Sequence, residues 1–213
     1  MAQLQPQFKK FDETIRLGRF DENATLREKR DIIRRKLKAN LPLVFAKYGE
    51  PCPECYFLDQ GSYEMDTGVK PLFGEFDIDQ GLYFKIGIDA YPDPVVLKER
   101  VHEALVGHTK NVSIRRSCVT VVYEEEGEPI YHVDIAVFSV GAYNPDGKDR
   151  IAKGKLNSTE AYRVWQISNP QALTDCIKKQ FADEDRAQFR RIVRYWKRLY
   201  LSSEKLTTRS TKC

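Results

Sequence analysis

The sequence predicts an α/β fold of the α+β kind: a mixed sheet flanked by helices, with a long N-terminal helix and a helical C-terminal part. Apolar residues recur at helical spacing through Ile33, Leu37, Leu41, Val44, Phe45 and Tyr48, which is one stripe of a long helix. Three later runs, Glu75 to Ile88, "SCVTVVYE" and "IYHVDIAVFSV", read as strands. Strands and helices mix without the regular strand–helix–strand repeat of a doubly wound sheet.

Taken in order, the first ten residues are expected to be loosely ordered. Thr25 stands three residues before Glu28, a capping-box pattern that opens the long helix. Pro42 is expected to bend it and Gly49 to stop it. The segment "PCPEC" then reads as a turn or loop, and "DTGVKPLFGE", with Gly68, Pro71 and Gly74, as a turning loop. In the first strand Phe76, Ile78 and Leu82 fall on one side, and Asp77, Asp79, Gly81 and Tyr83 on the other. A helix follows Pro94. The acidic "YEEEGE" reads as a solvated hairpin tip between the next two strands. In the second of these His132, Asp134 and Ala136 share a face, and Val133, Ile135 and Val137 share the opposite one. The stretch "GAYNPDGKDRIAKGK" reads as loop. Asn169-Pro170 has the form of an N-cap followed by proline at the first helical position. A last helix starts near Asp183 with the stripe Phe189, Ile192, Val193, Trp196 and Leu199, and the tail "SSEKLTTRSTKC" is expected to fray.

The 213 residues are 41% hydrophobic and 31% charged, within the range of globular domains. No apolar run reaches membrane-spanning length, and the N-terminus lacks a signal-peptide core. Five cysteines, an odd and sparse set, argue against a disulfide framework and for a reducing, cytoplasmic setting. A net charge of +4 does not call for a nucleic-acid partner. Positive charge concentrates instead at Arg190, Arg191, Arg194, Lys197 and Arg198, a helix face that either binds phosphate or is simply solvated. Cys52 and Cys55 have the spacing of a metal knuckle, but no second pair follows and His102, His108 and His132 do not complete it, so they read as structural. His132 is read as a strand histidine with a local hydrogen bond. Trp165 and Trp196 are read as core, and Tyr83 as a residue on the acidic face within approach of a ligand.

Chemistry enters with the acids. Side chains at i and i+2 of a strand share a face, so Asp77 and Asp79 place two carboxylates in one volume, where they repel unless a cation joins them. Hard oxygen donors with few protein contacts suit magnesium, which keeps waters and takes substrate phosphates. Asp134, inside an apolar strand, is a third acid that is costly to bury unpaired. If the two strands are neighbours, three carboxylates suffice for a two-metal site. Upstream, Gly61 and Ser62 supply close backbone approach and a short hydroxyl, a nest for phosphate oxygens. Each part has a plainer reading. A Gly-Ser pair is commonly a turn, Asp-x-Asp also binds metal in glycosyltransferases, and Asp134 alone reads as a satisfied buried acid.

Together, "GSYEMDTGVKPLFGEFDID", "HVDIAVF" and "RRIVRYWK" resemble the bacterial CD-NTases, the cGAS- and DncV-like nucleotidyltransferases of the polymerase-β-like superfamily. The match runs from the long helix to about Lys197. The resemblance implies a polymerase-β-like core over residues 1–165 and the start of a helical lobe over 166–213, truncated or reduced relative to similar enzymes. It implies an enzyme that joins nucleoside triphosphates into a cyclic di- or oligonucleotide messenger of anti-phage signalling and releases pyrophosphate. Ser62, with Gly61 and Thr67, would bind the donor triphosphate, and Lys197 would contact its phosphates. Asp77 and Asp79 would bind two magnesium ions, with manganese as a substitute. Asp134 would complete the site nearest the acceptor hydroxyl. Partners implied are regulatory or effector proteins of a defence operon; the sequence itself calls for no membrane and does not require nucleic acid. The alternatives are a nucleotidyltransferase that modifies a protein, small molecule or RNA end, and a non-catalytic nucleotide-binding scaffold.

Overall fold

Helix α2, Glu22–Lys47, organises the molecule. Its stripe of Leu26, Ile33, Leu37, Leu41, Val44 and Phe45 is buried in the main core. Pro42 lies within the helix, and Gly49, at φ +68°, follows its end. The computed structural model describes residues 4–17, 22–72 and 76–210, with side chains outside 22–23 and 202–210. Gly74, Glu75 and the last residues of the tail lie outside the described part.

Among the described residues the sheet has seven strands: β1 (Cys55–Asp59), β2 (Phe76–Phe84), β3 (Asn111–Ile114), β4 (Val119–Glu125), β5 (Glu128–Ser139), β6 (Arg150–Lys153) and β7 (Val164–Ile167). Its order is β1-β2-β5-β4-β3, with β6 joining the end of β5 and β7 joining β6. Strands β2 and β5 run parallel and the other pairs antiparallel, so the sheet is mixed as expected. The long helix α2 and α4 (Pro94–Leu105) pack together, and α2 also packs against β2 and β5. Ile78, Leu82, Val133, Ile135 and Val137 belong to this core. The architecture is α+β, a mixed sheet with helices packed against it.

Several boundaries differ from the sequence reading. Helix α1 spans Gln5–Ile15, where loose chain was expected, because Phe8 and Phe11 contact Tyr195 of α6 (Asp183–Ser210). Thr25 lies inside α2 rather than at its cap, since Thr-x-x-Glu is also an ordinary i, i+3 pair on a helix. Cys55 opens β1 instead of closing a loop, and β2 ends at Phe84 rather than Ile88. Strand β6 sits inside the stretch read as loop, paired on both sides by residues far from it in sequence. The tail stays helical through Ser210, as a continuation of α6. One cap and one turn stand as read: Asn169 accepts from the Ala172 N–H at the start of α5 (Pro170–Gln180), and Glu126-Gly127, both at positive φ, form the acidic hairpin tip.

The basic helix face is neither free nor simply solvated. Arg194, 3% exposed at its side chain, forms a bidentate pair with Asp12 of α1. Arg190 pairs with Asp66, and Arg198 donates to the Lys70 carbonyl. With its charged side turned inward, α6 turns Ile192, Trp196 and Leu199 toward solvent. Trp196 is 70% exposed, which corrects its reading as core. The helix docks through arginine forks that reach carboxylates and carbonyls, and apolar periodicity does not reveal that choice. Trp165 does pack against the core, its indole N–H donating to the Tyr91 carbonyl.

Candidate active site

Opposite the α2 face, the sheet carries a polar half and an aromatic half. In the parallel register Asp77 lies beside His132 and Asp79 beside Asp134. Paired residues on adjacent strands project from the same face, so all three acids rise on one side. On the next strand Thr120 pairs with Asp134, giving a row Asp79–Asp134–Thr120 across β2, β5 and β4. Further along β2, Tyr83 stacks between Tyr56 and Phe138 at ring-centroid distances of 5.3 and 4.4 Å. Its hydroxyl accepts from Gln60 Nε2. Tyr83 is 2% exposed, so it closes the aromatic half of this face and is not placed to approach a ligand.

A cleft of about 350 Å³ opens beside the acids, lined among others by Ser62, Asp77, Asp79, Lys197, Tyr200 and Val69. Ser62 belongs to the single-turn helix α3 (Gly61–Glu64) that follows β1. Gly61 is at φ +68°, and a Cβ there would stand 2.0 Å from Asp79 Oδ2. The loop therefore sits directly against the carboxylate. Thr67 is 1% exposed. Its carbonyl and hydroxyl oxygens lie 3.2 and 3.5 Å from Lys197 Nζ, so it holds the lysine at the cleft edge rather than lining the cleft itself.

The electrostatics reflect this crowding. Burial first, then Asp77 and Asp134, push the Asp79 carboxyl up to about 6. Burial holds the Lys197 ammonium below the usual lysine range, although Asp77 and Asp79 favour its charge. The His132 ring stands 3.8 Å from Asp134 Oδ2. Cys52 and Cys55 pack at the core margin, and burial raises the Cys55 thiol to about 11, so it is protonated at neutral pH.

Among the described residues no three His, Cys, Asp or Glu side chains enclose an ion on their own. The donor set nonetheless fits a hard divalent cation. Two carboxylates on one strand and a third on its neighbour hold like charge that a cation would relieve, and magnesium completes its shell with water and substrate oxygens rather than a protein cage.

Thr120, the Asp12–Arg194 pair and the cleft walls Tyr200, Leu201 and Leu17 escaped the sequence reading. They reach the site by strand pairing or by the meeting of α1 and α6, and no local pattern signals either.

Gly61→Ala separates two costs. An alanine held at positive φ costs about 1–2 kcal/mol. Gly49, at φ +68° with nothing within 4 Å of an added Cβ, reports that strain alone. In urea titrations Gly61→Ala is expected to lose more stability than Gly49→Ala, the excess being displacement of Asp79. Equal losses would mean that the loop does not press on the carboxylate.

Residues 55–138 match a family model described as "Cyclic GMP-AMP synthase DncV-like, nucleotidyltransferase domain". That segment runs from β1 through nearly all of β5 and holds all three acids, and it bears out the resemblance read from the sequence. Among solved structures, Vibrio cholerae DncV cyclic AMP-GMP synthase with the linear intermediate pppA(3′,5′)pG is 16% identical, with 88% of this chain and 62% of that one covered at a TM-score of 0.61. The same enzyme with non-hydrolysable GTP is 16% identical, with coverages of 91% and 65% and a TM-score of 0.63. DncV with GTP and 5MTHFGLU2 is 15% identical, with coverages of 88% and 64% and a TM-score of 0.62. The chain thus spans less than two thirds of the length of these neighbours, and at such identity the likeness is one of fold. No curated protein sequence matches it. No described helix is long and apolar enough to cross a membrane.

Proposed function

We propose that the chain is a divalent-metal-dependent nucleotidyltransferase that joins nucleoside triphosphates into a cyclic di- or oligonucleotide messenger. Its setting would be anti-phage signalling in the bacterial cytoplasm. The observation that carries this reading is the parallel register that sets Asp134 beside Asp79, on the face where Ser62 and Lys197 flank a cleft. Capture of a linear pppA(3′,5′)pG by DncV, which shares the fold, supports sequential joining of nucleotides over transfer to a macromolecule.

In this reading Asp77, Asp79 and Asp134 hold two divalent ions, magnesium or manganese, which when bound neutralise phosphate charge and lower the barrier to loss of the hydroxyl proton. The Gly61–Ser62 loop and Lys197 bind and orient the donor triphosphate. Thr67, from beneath, keeps the Lys197 ammonium at the cleft edge. Asp134 receives the proton of the acceptor hydroxyl. The acceptor oxygen bonds to the α-phosphorus, the bond from that phosphorus to the bridging oxygen breaks, and pyrophosphate leaves. A second transfer closes the ring. The catalytic core would run through the end of β7 at Ile167, two residues past the boundary read from the sequence, with α5 and α6 as part of a helical lobe. The outward stripe of Ile192, Trp196 and Leu199 supports that division, because an exposed apolar row on a long helix is a surface suited to packing.

Incubation with labelled nucleoside triphosphates and magnesium, followed by phosphatase and mass spectrometry, tests the reading. A phosphatase-resistant small product is expected. Label found only on a macromolecule, or no product with any mixture of the four triphosphates, overturns it.

A further inference from the structure

Thr120 lies on β4 directly beside Asp134 and is fully buried. Its Oγ1 donates to Asp134 Oδ1 in a short hydrogen bond. Cys118 Sγ stands 3.5 Å from the same hydroxyl oxygen. A threonine hydroxyl has one hydrogen, and Asp134 takes it, so the thiol is the donor in the second contact. Asp134 thus takes the Thr120 hydrogen, with the half-buried Cys118 thiol beside both groups. Asp134 retains 23% side-chain exposure. One of its oxygens is therefore tied from inside, and Oδ2, on the His132 side, is the one left to meet a ligand. An unrestrained aspartate carboxylate turns broadly about χ2, whereas a bond from a buried, β-branched partner stops that rotation.

We infer that Thr120 is a positioning residue for Asp134: its hydroxyl locks Oδ1 and presents Oδ2 alone to the divalent ion nearest the acceptor. This rests on the assignment of Asp134 to that ion under the proposed function. Partners that orient a ligating side chain typically change metal affinity 10–100-fold when lost. Thr120 touches neither substrate nor ion, and it acts through Asp134.

Manganese binding counted by electron paramagnetic resonance, with a non-hydrolysable triphosphate present, separates the cases without requiring turnover. The unaltered protein is expected to bind two ions, and Asp134→Asn one tight ion. Thr120→Val is expected to weaken the second ion by about 10–100-fold, and Thr120→Ser to restore it because the hydroxyl returns. Thermal melts by circular dichroism check folding, and Thr120→Ala provides the same comparison if the valine variant melts early. Unchanged binding in Thr120→Val and Thr120→Ala, or a serine variant as weak as valine, overturns the inference while leaving the site assignment intact. Undisturbed binding of both ions in Asp134→Asn overturns the assignment itself, and this inference with it.

Discussion

Asp79→Asn is expected to abolish nucleotide transfer while making the ion-free protein more stable at neutral pH. The Asp79 carboxyl titrates near 6 in the folded chain, against about 3.9 for an unperturbed aspartate. Between those values the folded state binds more protons than the unfolded one, so stability falls as pH rises from about 4 to about 6 and stays lower above that. At 1.36 kcal/mol per unit the penalty is about 2–3 kcal/mol at pH 7.5. Asparagine keeps the shape and removes the charge, which also relieves Asp77 and Asp134. Urea titrations in chelator from pH 4 to 8 should show a slope in the unaltered protein that is largely missing in the variant. Magnesium with a triphosphate should recover stability only in the unaltered protein. A variant less stable than the parent at pH 7.5 would show that Asp79 is a structural acid and would remove the electrostatic case for a cation.

Asp12→Ala is expected to cost about 3–5 kcal/mol, because it leaves the Arg194 guanidinium buried without its carboxylate. Arg194 Nη1 keeps its bond to the Asp66 carbonyl, which cannot offset a full charge. The effect should be local before it is global. The described side chains of α6 are held by polar ties at Arg190, Arg194, Lys197 and Arg198 and by Tyr195 against Phe8 and Phe11 of α1, while its outward apolar residues add little hold. Hydrogen exchange should therefore accelerate in α1 and α6 ahead of the sheet. Lys197 rides on α6, so KM for the donor triphosphate should rise while the sheet stays folded. The paired change Asp12→Leu with Arg194→Met should recover much of the stability, since well-packed apolar pairs replace buried ion pairs at little cost. A loss within 0.5 kcal/mol for Asp12→Ala, the range of ordinary surface changes, would mean that α6 is held by something else.

Local chemistry was legible in the sequence. The stripe from Ile33 to Phe45, the cap at Asn169, the turn at Glu126-Gly127 and the alternation that puts Asp77 and Asp79 on one face each depend on residues a few positions apart. Where local rules misled, the competing force came from distance. The first ten residues carry no strong helical signal, yet α1 forms because Phe8, Phe11 and Asp12 meet α6. Strand β6 hides in a loop-like stretch because its partners are Phe138 and Ser139 on one side and Val164–Ile167 on the other. Trp196 sits in an apolar stripe that looks like core, but the arginines on the other face of α6 claim the interior.

By itself the sequence determined which acids share a strand face, where the Gly-Ser loop stands before them, and the long helix α2 and strands β2, β4 and β5, since periodicity and turn chemistry act between near neighbours. Only the tertiary structure decided that β2 and β5 run parallel in a register that sets Asp79 against Asp134, and that Thr120 stands behind that acid. Only it decided that Lys197 arrives at the same cleft, 130 residues away in the chain from the Thr67 that holds it. Strand order and helix docking follow from the burial of whole surfaces, a quantity no short window of residues contains.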